Sequence, residues 1–237
     1  MRNTLVATMA LPALASWLAA PALGQNVSKI AITPQSQKAA IIIRSPVVQP
    51  PPLHKTSYRL IFRAYDPVAE QLKGGPFGGS EVIAPQPKHF VNGFLAINVE
   101  PGTYVVTGFN RQDYWSLCYY ADSVQFTVKP GEVLYLGYFD ARKALDELNM
   151  KVVTSGRMST RGGPVQFFDT VAAPPFLPIN EQGLQGARAM AKAAMPRTTV
   201  EPKAATLTPA RFGTGTSLVG ERLCGGYFAE KAADTKK

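Results

Sequence analysis

Hydrophobic and polar positions alternate through much of the chain. From Ser57 to Asp66, Tyr58, Leu60, Phe62 and Ala64 fall on one face and Arg59, Ile61, Arg63 and Tyr65 on the other, the period of a half-buried strand. Val124, Phe126 and Val128 alternate with Gln125, Thr127 and Lys129 in the same way. Phe94 to Val99 and Thr103 to Phe109 read as strands joined by Pro101-Gly102; Tyr104 and Val106 are expected on one face of the second, Val105 and Phe109 on the other. Pro130-Gly131 turns the chain into Glu132 to Phe139, which is apolar on both faces and so predicted to be central in its sheet. Lys38 to Arg44 holds the β-branched run Ile41-Ile42-Ile43, and Val165 to Phe168 offers one more short strand.

The helical period is rarer. Asp140 is placed to cap a short helix, Ala141 to Leu148, after which Met150 to Val153 reads as a strand. Asn180 caps a second helix over 181–195, with Leu184, Ala187, Ala191 and Ala194 on one face and Pro196 as its stop. Gly183 and Gly186 should weaken that helix by about 1 kcal/mol each. Short strands separated by Pro-Gly turns predict a mainly β fold, an antiparallel β-sandwich such as the immunoglobulin-like one, with one or two short helices. The domain lies over 38–170, after a flexible leader at 25–37. A loose C-terminal extension follows at 171–237, in which Thr198 to Gly215 is a connector and 217–228 returns to dock on the core.

Two stretches carry a family likeness. Val99-Glu100-Pro101-Gly102-Thr103-Tyr104-Val105-Val106 and the later Pro130-Gly131-Glu132-Val133-Leu134-Tyr135-Leu136-Gly137 resemble uncharacterised bacterial cell-envelope domains. Those domains pair a Pro-Gly-Thr-Tyr strand with a Pro-Gly-Glu-Val-x-Tyr-x-Gly strand and look like carboxypeptidase-regulatory or transthyretin-like sandwiches. The resemblance covers a minority of the 237 residues. It implies a fold and an envelope location and carries over no catalytic residue.

Composition narrows the class. Charged residues make up 17%, below the roughly 25% of an average domain, and 20 Gly with 20 Pro punctuate the backbone. Coiled coils, charged disordered chains and disulfide-dense miniproteins are excluded. Residues 1–24 read as a signal peptide, with Arg2 before an apolar stretch and Ala22-Leu23-Gly24 at a cut before Gln25; a cut before Leu23 is the alternative. No Cys follows the cut, so lipidation is not expected, and no transmembrane span remains after cleavage. The expected location is the periplasm or outside the cell. Cleavage removes one basic and no acidic residue from a formal charge of +9, leaving +8. That balance favours an envelope component as partner, a protein or an anionic glycan or lipid surface. The basic residues are scattered, which argues against nucleic acid.

Catalytic spacings are missing. His54 and His89 lie in no metal-ligand pattern, and Lys73 to Ser80, though glycine-rich, lacks the Gly-Lys-Ser/Thr order of a phosphate loop. No Gly-x-Ser-x-Gly or Ser-x-x-Lys occurs, so no metal, nucleotide or other cofactor is expected. A carboxylate pair is harder to exclude by sequence; Asp66, Glu70, Glu81, Asp113 and Asp122 lie near strand ends. The aromatic stretch at 109–120 is the most suggestive local feature. Tyr114, Trp115, Tyr119 and Tyr120 could stack on a ligand that Arg111 and Asp113 orient, or simply cover the core edge. Export and a cysteine count of two predict one disulfide, Cys118–Cys224. The sequence thus points to a non-catalytic exported binding or interaction module. An exported hydrolase acting on glycan through two carboxylates is the alternative.

Overall fold

The computed structural model describes residues 26–46, 58–73, 80–83, 90–111, 115–119, 123–155, 166–168 and 170–212. The stretch read as a signal peptide, His54, His89, most of the glycine-rich loop, the stretch at 217–228 expected to dock on the core, and Cys224 lie outside them. Two curled sheets pack face to face as a β-sandwich, and a helix covers the outer side of one.

The first sheet is built on β9 (Val133–Phe139). On one side it pairs with β1 (Ala39–Arg44), which pairs in turn with β5 (Phe94–Val99). Two short strands share its other edge, β11 (Phe176–Leu177) and β12 (Lys203–Ala204). The expectation that this segment is central holds.

In the second sheet, β6 (Gly102–Arg111) is the axis. Along one edge lies β2 (Arg59–Asp66), itself flanked by β3 (Gln71–Leu72) and β4 (Ser80–Ile83). Along the other lie β7 (Trp115–Cys118) and β8 (Ser123–Val128), extended by β10 (Gln166–Phe167) and β13 (Thr208–Ala210). Most pairings are antiparallel, as expected. β1–β9, β12–β9 and β10–β7 are parallel.

The inner faces of both sheets form one core, where Ile41, Ile97 and Leu136 meet Leu60, Phe62 and Phe109. A second core lies on the outer face of the first sheet. There Ala40, Ile42, Ala96 and Tyr135 pack under helix α2 (Glu181–Ala194) through Leu184, Ala187 and Met190. Both faces of β1 are therefore covered, which explains why three consecutive isoleucines are all buried.

Several expectations are corrected. Helix α1 runs from Arg142 to Thr154, so Met150 to Val153 is its last turns and not a strand. Leu145, Leu148 and Val152 keep the helical spacing toward the core, and the next breaker is Gly156. Met150 and Val153 remain 61% and 69% exposed, since no sheet takes them. Asp140 accepts the Arg142 amide at 3.0 Å and so starts this helix from one residue further back than its formal cap, Ala141.

The segment expected to be a flexible leader is docked. Ile30 and Ile32 are 0% exposed in the second core, and the Ile32 carbonyl accepts the Thr199 amide at 2.9 Å. The connector expected from Thr198 onward is likewise bound through residue 212: it supplies β12 and β13 and buries Phe212.

One bulge reorders two strands. The β2–β6 register runs Ile61↔Gly108 and then Phe62↔Val106, leaving Thr107 as the extra residue. Phe109 is thereby carried onto the face of Tyr104 and Val106, not opposite them. Arg63 and Tyr65, on the face opposite Leu60 and Phe62, are both buried, and the chain at Arg211 crosses Tyr65.

Candidate functional site

The aromatic stretch is a hairpin. Its arms are the end of β6 and β7, in the register Arg111↔Trp115, Asn110↔Ser116, Phe109↔Leu117 and Gly108↔Cys118. Phe109 and Leu117 are buried between the sheets, and Trp115 packs against the same core. Ser116 donates to the Asn110 carboxamide oxygen at 2.6 Å on the opposite face. Tyr119 is buried as well. Its hydroxyl donates to the Pro174 carbonyl at 2.6 Å, and burial pushes its pKa well above the ordinary phenol value. The described part of this stretch is thus core and its edge. Asp113, Tyr114, Tyr120 and the Cys118–Cys224 disulfide fall outside the described residues or rest on side chains that do.

A concave surface lies elsewhere, along β8 and β13. It begins where β2 ends. The Asp66 carboxylate accepts the amides of Val68 and Ala69 at 3.0 and 3.1 Å, which shapes the turn at 67–70; Glu70 there has φ 52°. Tyr65 donates to the Arg211 carbonyl at 2.6 Å and so fixes the chain leaving β13 against that turn. Between them opens a groove of about 630 Å³ floored by Ser123 and Gln125. A second groove of about 500 Å³ continues from it and shares Pro67 and Gln125; Thr127, Lys129, Thr206 and Thr208 line it. The walls are hydroxyl, amide, proline and backbone groups, with basic side chains at both ends.

Two acids at this surface, Glu132 and Asp66, are already committed. Burial works to raise the Glu132 carboxyl. A hydrogen bond from Lys203 at 2.6 Å and one from the Lys129 amide at 3.0 Å outweigh it and hold the group below its usual range. Asp66 is held low by the Ala69 and Val68 amides. Away from the groove, Asp140 is held low by the Arg142 side chain. A glycoside-cleaving acid must instead be raised, so that it keeps a proton to give, and must face a second carboxyl. Among the described residues the first groove contains Glu70 and the second Glu132, one carboxyl each. The side chains of Glu81, Asp113 and Asp122 are outside the described residues. Among the described residues no three His, Cys, Asp or Glu side chains converge to hold a metal, and no helix is long and apolar enough to cross a membrane.

Sequence reasoning marked one wall of this surface, the polar face of β8 with Gln125, Thr127 and Lys129. It missed the others because Tyr65 and Arg211 are 146 positions apart, and no local signal joins them. The chain matches no family model, no curated protein and no solved structure.

Proposed function

We propose that this is a non-catalytic, exported cell-envelope protein that binds an extended envelope component along the β8–β13 groove. The observation that carries the reading is the groove itself: open, long, lined by hydroxyl and amide side chains beside apolar ones, with Glu132 held in an ion pair. Such a surface suits a hydroxyl-rich chain such as a glycan strand, held by many weak contacts and not cut. The signal sequence before Gln25, or before Leu23, supports delivery to the periplasm or the exterior. The likeness of the Pro-Gly strands to transthyretin-like envelope domains supports the same location. A Cys118–Cys224 bond belongs to this reading, since both thiols would meet an oxidising compartment.

The test is sedimentation of the mature protein with purified cell-wall sacculi, with release of reducing ends followed in the same tubes. Binding without release is expected, and it should fall several-fold in the surface variant Gln125→Ala/Thr127→Ala. Failure to sediment overturns the binding reading. Release of reducing ends replaces it with the hydrolase.

A further inference from the structure

The two grooves along β8 differ in charge. Among the described residues the first is lined by one acid and one base, Glu70 and Arg211, which cancel. The second is lined by Lys129, Glu132 and Lys203 and so keeps one positive charge in excess. It lies where the chain between β12 and β13 passes from the edge of the first sheet to the edge of the second, beside the turn from β8 into β9.

The excess charge belongs to Lys129. Lys203 Nζ is held by Glu132 Oε1 at 2.6 Å. The other oxygen, Oε2, accepts the backbone amide of Lys129 at 3.0 Å and not its ammonium. Neighbouring acids have partners of their own. Glu100 faces Lys38 at 3.2 Å, Glu201 faces Arg188 at 3.2 Å, and Asp66 accepts two amides of its turn. Among the described residues no carboxylate stands within ion-pair distance of the Lys129 ammonium, which is exposed.

The rest of the second groove is built for a sugar. Thr127, Thr206 and Thr208 bring hydroxyls to it, and Leu134 gives an apolar side for ring C–H groups. From Ser123 to Lys129 the strand and its end span about 20 Å, room for a short run of rings. The free ammonium stands at one end of this otherwise neutral track. A neutral strand would leave it solvated and unused. A carboxylate would pair with it in a recess whose walls reduce screening by solvent. One surplus positive charge matches a singly charged acid group better than a doubly charged one.

We propose that the groove takes an acidic glycan, its sugar rings carrying carboxylates, and that Lys129 selects it over a neutral one. This rests on the reading of the β8–β13 groove as a glycan-binding surface and adds the class of glycan.

Tetragalacturonate and its methyl ester, which differ chiefly in charge, are the probes. Titrated into the mature protein by calorimetry at low salt, the acid is expected to bind roughly three- to tenfold tighter than the ester, as one partly screened charge pair allows. Raising the salt to about 0.5 M should shrink that ratio. Lys129→Gln should bring it close to one, and Lys129→Arg should keep it. Both variants should melt with the parent, because the side chain is exposed. Equal binding of acid and ester, no binding of either, or a preference unchanged in Lys129→Gln overturns the proposal. Sacculus sedimentation of the parent, run beside the titration, separates the two readings. Sedimentation without an acid preference leaves the binding module and removes only the acidic glycan. An acid preference without sedimentation keeps the acidic glycan and removes the sacculus as its source.

Discussion

The Tyr135 hydroxyl lies 2.6 Å from the point a β-carbon on residue 183 would occupy, so Gly183 is what lets α2 rest on the sheet. Gly186 does the same over Phe94, whose ring tip is 2.8 Å from the equivalent point. Two residues that weaken the helix locally are thus required by what lies beneath it.

Gly183→Ala and Gly186→Ala are therefore expected to destabilise the protein by about 1–3 kcal/mol each, the range for overpacking, although alanine favours an isolated helix. The cost of Gly183→Ala should shrink in a Tyr135→Phe background, where the closest atom is gone. Denaturant midpoints of the two singles and the double decide it; stabilisation by either alanine would refute the close packing.

Tyr119→Phe should cost about 1–3 kcal/mol, because it leaves the Pro174 carbonyl without its buried donor. A ligand-stacking tyrosine would tolerate the change in the absence of ligand. An unchanged unfolding curve would return Tyr119 to the candidate contacts.

Alkali should unfold the protein through its buried phenols. Burial raises Tyr58 from 10.0 to about 12, against a smaller opposing effect of its Ser45 hydrogen bond. The folded state then holds its proton longer than the unfolded one. The stability linked to that proton is complete below pH 10 and is lost as pH rises toward 12. At about 1.4 kcal/mol per pH unit, Tyr58 accounts for roughly 2–3 kcal/mol of that loss. Tyr58→Phe should flatten the pH dependence across this window, measured as the urea midpoint at each pH; an equally steep fall would remove Tyr58 as its source.

Ile32→Ala should destabilise by about 2–5 kcal/mol, as a fully buried aliphatic truncation does. A truly loose leader would show no effect. Thermal melts of the variant settle the matter.

What the sequence made legible was local. The Pro101-Gly102 and Pro130-Gly131 turns, the alternation of β8, the two-sided apolar pattern of β9 and the Asn180 cap of α2 each depend on a few adjacent residues. What it hid depended on distant partners. Thr107 is a bulge only because β2 pairs across it, and Ile32 is core only because α2 covers it. Val152 and Val153 favour strand in isolation, yet no neighbour offers an edge, so the helix continues. The groove was half visible, in Gln125, Thr127 and Lys129. Arg211 enters it by a hydrogen bond that no spacing foretells.

The β9 strand has a consequence in time. It takes β1 from near the start of the described chain and β12 from near its end, and Thr198 reaches back 166 positions to hold Ile32. The first sheet cannot close while the ribosome is still making the chain's last third. Folds dominated by such remote pairings form slowly, in milliseconds to seconds. A nascent chain of this design stays unlocked through most of its synthesis, its two ends apart until the last strands emerge.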